Sequence, residues 1–222
     1  RAFAELLASQ NSLEELYFMN NGISEEAAMA IRELLPSSSN LRVLHFHNNM
    51  TGDDGAIALA SLVKEAPLLE DFRCSSTRIG SEGGVALSQA SKATSSLKKL
   101  NLPDNPFSVE GAISLAKALK QHRYLKEVYL GSLGLEDEGK MAILEALEES
   151  GAELEVLDLA GNDITVSCAL KLSSLIASKE KLTRLNLSEN ELEDKGVVTI
   201  CNVIAKSHEN LVELDLSETN IG

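Results

Sequence analysis

The chain has 222 residues, 44% of them apolar, and carries 34 acidic against 20 basic side chains for a formal net charge of -14. That apolar content can bury a substantial core, and a field of that sign repels nucleic acid and anionic membrane surfaces while favouring a basic protein partner. No signal-peptide pattern and no run of about 18 apolar residues is present, so the sequence reads as a soluble chain with no membrane insertion.

In chain order, Phe3, Leu6 and Leu7 stand in helical spacing and lead into Leu13. From there one skeleton recurs as Leu13/Leu16/Phe18/Asn21, Leu41/Leu44/Phe46/Asn49, Leu69/Phe72/Cys74/Thr77, Leu97/Leu100/Leu102/Asn105, Leu125/Val128/Leu130/Leu133, Leu154/Leu157/Leu159/Asn162, Leu182/Leu185/Leu187/Asn190 and Leu211/Leu214/Leu216/Thr219. The first members lie 28, 28, 28, 28, 29, 28 and 29 residues apart. This fixed period with L-x-x-L-x-L-x-x-N spacing is the strand signature of the leucine-rich repeat. Ten residues after each of the first seven ladder positions stand Ile31, Leu59, Leu87, Leu115, Ile143, Leu172 and Ile200. Apolar neighbours flank them, as in Ala56/Leu59/Leu62/Val63, in the spacing of one helix face.

Each repeat is then a strand followed by a helix, and neither buries its apolar face without the next repeat. The expected fold is an α/β leucine-rich-repeat solenoid, a horseshoe with a parallel concave sheet and convex helices. It is built from ribonuclease-inhibitor-like repeats of about 28 residues. One domain covers residues 1–222, with strands starting near 13, 41, 69, 97, 125, 154, 182 and 211. The helical spacing before the first strand, and the stop at Gly222 with no polar cap, mark the chain as a fragment of a longer repeat array.

The ladder asparagines Asn21, Asn49, Asn105, Asn162 and Asn190 are expected to turn inward, where a carboxamide both donates to and accepts from neighbouring backbone loops. Thr77, Leu133 and Thr219 break the rule. Threonine keeps one hydroxyl, whereas Leu133 packs and makes the loop from Gly131 to Gly134 a local irregularity. Asn48 stands beside ladder residue Asn49 and next to His47, at a position the repeat pattern leaves free. A carboxamide that the fold does not need asks for a functional role.

The catalytic motifs G-x-x-x-x-G-K-[ST], H-E-x-x-H, G-x-S-x-G and paired C-x-x-C are absent. Gly83-Gly84 opens a helix, where a phosphate can bind, but glycine fills the same register at Gly55, Gly111 and Gly196, which favours packing. His45 and His47 share a strand face and could seat a metal, yet no third ligand accompanies them, and both read as solvated contact residues. Cys74, Cys168 and Cys201 read as small buried apolar residues in a reducing compartment. The free strand positions Glu14, Glu15, Glu70, Asp71, Asp104, Glu127, Glu155, Asp158, Glu189, Glu213, Asp215 and Glu218 outnumber Arg42, Arg73, Lys98, Lys99, Lys126 and Arg184. They read as a continuous acidic strip that steers a basic partner.

The stretches LRVLHFHNNMTG from Leu41, LLEDFRCSSTRIG from Leu68 and AGNDIT from Ala160 resemble the leucine-rich-repeat domain of Ran GTPase-activating proteins, in particular the plant form. The resemblance extends over essentially the whole chain. It implies a monomeric activator of GTP-bound Ran in nucleocytoplasmic transport, one that completes the active site of Ran without being an enzyme itself. No cofactor of its own is implied, since GTP and Mg belong to the GTPase. In that family the asparagine directly after the histidine of the His-Asn-Asn segment is catalytically important, and no arginine finger is used. On this sequence it is Asn48, which would help position the glutamine by which Ran orients the attacking water. Partner-binding residues are expected at His45, His47, Glu70, Asp71, Arg73 and Arg78.

The family's arginine-bearing loop of an earlier repeat falls before residue 1, and Arg1, in a helical stretch, does not replace it. A cytoplasmic location is implied, with nuclear-envelope association through a domain outside this sequence. The competing reading is a non-catalytic scaffold that binds a protein on its concave face, because one fold serves both.

Overall fold

The computed structural model describes residues 12–34 and 39–222, so the helical spacing at Phe3, Leu6 and Leu7 lies outside the described residues. Eight strands and seven α-helices alternate there. The strands are β1 Glu15–Tyr17, β2 Val43–His45, β3 Asp71–Arg73, β4 Lys99–Asn101, β5 Glu127–Tyr129, β6 Val156–Asp158, β7 Arg184–Asn186 and β8 Glu213–Asp215. The helices are α1 Glu25–Leu34, α2 Gly52–Lys64, α3 Ser81–Ser91, α4 Ser108–Leu119, α5 Glu136–Glu149, α6 Ala169–Ser178 and α7 Glu193–Ser207. A short 3-10 turn, Val166–Cys168, leads into α6. No helix among the described residues is long and apolar enough to cross a membrane.

All eight strands form one parallel sheet in chain order. The register advances by one repeat at each step, so Leu16, Leu44, Phe72, Leu100, Val128, Leu157, Leu185 and Leu214 lie side by side. The middle residue of each strand points toward the helices, and the two flanking residues point away from them. Leu44 is 0% exposed, Leu100 2% and Leu157 1%. Their helix-side partners from Ile31 to Ile200 in the ten-residue register are all buried as well. Burial fails at the last strand, where Leu214 is exposed and Leu211 and Leu216 are half-buried. Each repeat is covered by its successor, and β8 is the edge of the sheet among the described residues.

Four ladder asparagines are buried and bond across repeats as expected. Asn105 shows the full pattern. Its Nδ2 donates to the carbonyls of Cys74 and Leu102, both at 2.8 Å, and its Oδ1 accepts from the amides of Thr77 at 3.2 Å and Ile79 at 3.1 Å. Asn49 and Asn190 repeat it, and Asn162 accepts from Leu133 N at 3.0 Å. Asn21 departs from it, because its side chain is exposed and, among the described residues, its Nδ2 donates within its own repeat, to the Phe18 and Met19 carbonyls.

Where the next ladder residue is not asparagine, the loop rearranges. Buried amides still need acceptors, and the main-chain carbonyl of the substitute supplies one. Gly52 N donates to Thr77 O at 3.0 Å, Phe107 N to Leu133 O at 2.9 Å and Glu193 N to Thr219 O at 2.9 Å. The turns that make this possible put Gly52, Ser108 and Glu193 in the left-handed region, at φ 60°, 56° and 54°. Leu133 is fully buried, and the irregularity after it extends as far as Glu136, at φ 48°.

Gly83 and Gly84 are explained by packing. A Cβ on Gly84 would lie 2.9 Å from the Phe107 ring, and one on Gly83 would lie 2.8 Å from Ala56 Cβ. The start of α3 is already capped, since Asp53 Oδ1 accepts from Gly80 N at 2.7 Å and Gly83 N at 3.0 Å. All three cysteines are free thiols. Cys74 and Cys168 are buried, Cys201 is half-buried, and burial pushes the Cys74 thiol up to about 12, which leaves it unreactive.

Candidate functional site

The side chains flanking each strand centre form a face on the side of the sheet opposite the helices. Near its first repeats, Asp71 of β3 is gripped by Arg73, with Nε 3.0 Å from Oδ1 and Nη2 2.8 Å from Oδ2. His45 of β2 brings Nε2 to 3.1 Å from Asp71 Oδ2, a close approach without good hydrogen-bond alignment. Tyr17 of β1 stands edge-on to His45 with ring centroids 5.0 Å apart, and His47 follows at 6.0 Å. These neighbours leave His45 only 8% exposed and His47 half-buried. The expectation of two solvated contact histidines is therefore corrected, because flanking strands carry side chains long enough to cover a position that alternation alone would leave open. Among the described residues no group of three metal-ligating side chains occurs.

Burial pushes the Asp71 carboxyl upward, but the Arg73 hydrogen bond, the approach of His45 and the Arg73 charge outweigh it and hold Asp71 below its ordinary value. A depressed carboxyl contributes stability that is present above its unfolded value and lost as pH falls through the folded one. The melting-temperature gap between wild type and Asp71→Asn should accordingly narrow as pH is lowered from 7 to below about 4. A gap unchanged over that range would remove Asp71 from the acid dependence. Burial, and next the charges of His45 and Arg73, lower the pKa of His47, so it stands neutral at pH 7.

Half of the acidic strip is paired with bases on the same face. Arg42 bridges Glu70 at 2.7 Å and Glu14 at 3.7 Å, and Lys98 reaches the other oxygen of Glu70 at 2.7 Å. Lys99 pairs with Glu127, Lys126 with Glu155 and Arg184 with Glu213. With Arg73 on Asp71, every one of the six basic residues on this face has an acidic partner. Glu70 is held below its ordinary range mainly by the Lys98 hydrogen bond. Among the described residues Glu15, Asp104, Asp158, Glu189, Asp215 and Glu218 take part in no ion pair, so signs alternate locally, as at Arg42, Glu70 and Lys98, while the face as a whole stays acidic.

Asn48 lies on the rim where the strands turn toward the helices. The residue before the ladder takes a left-handed backbone in every repeat, with φ 62° at Asn20, 56° at Asn48, 52° at Ser76, 57° at Asp104, 52° at Ser132, 61° at Gly161, 55° at Glu189 and 53° at Glu218. The position is thus free in its side chain but constrained in its backbone, which corrects the reading that the fold asks nothing of it. Asparagine suits it because it tolerates this region better than most residues. The side chain of Asn48 is exposed, and its Nδ2 donates to Asn20 Oδ1 at 2.8 Å. One donor of the carboxamide is spent on orientation, and its remaining capacity is presented at the rim.

Sequence reasoning missed Asn20, although its place one period before Asn48 was the available signal. Arg78 is exposed on the turn after Thr77, at φ 61°, away from the Asp71 grip. The six expected contact residues therefore divide between the gripped cluster of His45, His47, Asp71 and Arg73, the paired Glu70 and the exposed Arg78.

A family model described as Leucine Rich repeat matches residues 95–116, 154–173 and 178–201. Over 74 residues, 33% of this chain, the sequence is 56% identical to RAN GTPase-activating protein 2 of Arabidopsis thaliana, and the matched stretch covers 14% of that protein. Over 66 residues, 30% of this chain, it is 38% identical to human NACHT, LRR and PYD domains-containing protein 3, of which 6% is covered. The tropomodulin C-terminal domain of Caenorhabditis elegans superposes with a TM-score of 0.53 at 20% identity, covering 67% of this chain and 90% of that domain, a likeness of fold. The chain is a leucine-rich-repeat domain of α/β solenoid fold, similar in sequence to part of a plant Ran GTPase-activating protein.

Proposed function

We propose that this domain activates the GTPase Ran and that Asn48 is the group through which it acts. The identity with a plant Ran GTPase-activating protein supports the partner. The observation that carries the mechanism is the exposed Asn48 carboxamide, oriented on the rim by Asn20. A second carboxamide is a suitable target, since two amides can each donate and accept with no charge to desolvate. In this reading Asn48 holds the catalytic glutamine of GTP-bound Ran where it orients the attacking water, while GTP and Mg come with Ran. A donor fixed in advance costs little reorganisation as the transition state forms. Arg78 and the paired charges around Glu70 form the contact surface, and the Asp71 grip keeps that surface rigid. The activity belongs to nucleocytoplasmic transport, with the domain on the cytoplasmic side and any nuclear-envelope association carried by other segments of the protein.

Single-turnover hydrolysis by Ran preloaded with GTP tests the reading. Adding the folded chain should raise the rate saturably. Saturable binding to Ran with an unchanged hydrolysis rate would favour the scaffold reading.

A further inference from the structure

The solvent side of the helices carries a pattern that the fold uses only in part, where Met141 packs against the core, and that the proposed activity does not use. Eight residues after the ladder position, each of the first five helices presents an apolar side chain: Met29, Ile57, Val85, Ile113 and Met141, continued by Leu170 and Val198 on α6 and α7. A solvent-facing helix position is ordinarily polar, yet Met29 is 44% exposed and Ile57 41%, and the next three are half-buried. Three residues before this column, and so on the same helix face, stand Glu26, Asp54, Glu82, Glu110 and Glu138, all exposed. Among the described residues none of these five takes part in an ion pair.

A carboxylate in the first turn complements the helix dipole, which accounts for each acid singly. It does not account for an apolar residue one turn further on in every repeat. Nor are these acids paired among the described residues, in contrast to Glu14, Glu70, Asp71, Glu127, Glu155 and Glu213 on the strand face. Crowding is greatest at α1 and α2, where the Asp54 carboxylate faces Glu25 and pushes it above its ordinary value. Of these five helices, the same two also carry the most exposed apolar residues.

We propose that the surface formed by Met29, Ile57 and Val85 with Glu26, Asp54 and Glu82 docks a basic amphipathic helix of a partner protein. The two parallel columns ask for one apolar stripe and one Lys/Arg stripe on the ligand. Packed helices stand about 8–10 Å apart, and two turns of a ligand helix advance about 10.5 Å. Side chains seven residues apart on the ligand therefore meet successive repeats. The site lies on the solvent side of the helices, not on the strand face, and does not depend on the Ran reading.

The probe is a labelled synthetic helix of about 21 residues with leucine at every seventh position and lysine on the adjoining stripe, followed by fluorescence anisotropy. A scrambled peptide of the same composition is the control, and thermal melting verifies that each variant is folded. The ordered peptide should bind, and Met29→Ser/Ile57→Ser should weaken it about tenfold or more. Glu26→Lys/Asp54→Lys should weaken it to a similar extent, whereas the equal charge change Glu189→Lys/Glu218→Lys, in the last two repeats, should alter affinity less than about twofold. Equal affinity for the scrambled peptide would overturn the proposal, and so would wild-type binding by the Met29→Ser/Ile57→Ser variant. A dimer that sediments in wild type and dissociates in that variant would overturn it in favour of a second copy of this chain.

Discussion

Asn105→Ala lowers the stability of the domain by about 3 kcal/mol. The Thr77 and Ile79 amides both lose their acceptor, and the Cys74 and Leu102 carbonyls lose a donor, in a region closed to water. Each buried group left without a partner costs about 1–3 kcal/mol, and alanine restores none of them. For a chain of this length a loss of that size moves the melting temperature by roughly 6–12 °C. Asn21→Ala is the matched control, because Asn21 occupies the same register but is exposed. Water can replace its bonds, and its cost should stay below about 1 kcal/mol. Equal losses at the two positions would mean that burial does not decide the value of the ladder.

Asn48→Gly should lower the domain-stimulated rate of GTP hydrolysis by Ran by about 100- to 1,000-fold, the usual cost of one well-placed donor in a catalytic site. Glycine is the right replacement, since the position sits at φ 56° and glycine already fills the same register at Gly161. Alanine would confound the result, because it keeps the Cβ but loses the polar group that lets asparagine tolerate the left-handed region, which otherwise costs about 1–2 kcal/mol. Asn48→Ala therefore lowers the melting temperature as well, although the repeat pattern alone marked the position as structurally free. If the amide acts only as the transition state forms, ground-state binding of Ran by Asn48→Gly stays close to wild type. In the same reading Asn20 acts one step back, by accepting the hydrogen bond that orients that amide. Asn20→Asp keeps the acceptor and should retain most of the stimulation, whereas Asn20→Gly should lose part of it.

The 28-residue period made the fold legible, because one set of spacings fixes strand, register and helix together. Leu44, Leu100 and Leu157 are buried where the skeleton puts them, and the helix positions ten residues beyond each ladder are buried too. What the period could not convey is how neighbouring side chains close over a strand position. His45 alternates outward and is nonetheless buried, because Tyr17 and Asp71 come from strands 28 and 26 residues away in sequence. The backbone at Asn48 was partly legible: Asn20, Asn48, Asp104 and Gly161 are residue types that accept a left-handed conformation, but Glu189 and Glu218 disguise the rule. The charge pairing was fully legible and overlooked. Arg42, Glu70 and Lys98 stand one period apart, so alternating signs meet across the sheet.

In the proposed reading the two neighbouring asparagines divide the work of the domain, with Asn49 holding the repeats together and Asn48 facing the partner. The most direct measurement is the single-turnover rate of GTP hydrolysis by Ran at saturating Asn48→Gly, set beside wild type with Ran affinity and melting temperature recorded on the same preparations. The account predicts a rate lower by about two to three orders of magnitude, with affinity and melting temperature nearly unchanged. Full stimulation by Asn48→Gly would contradict it.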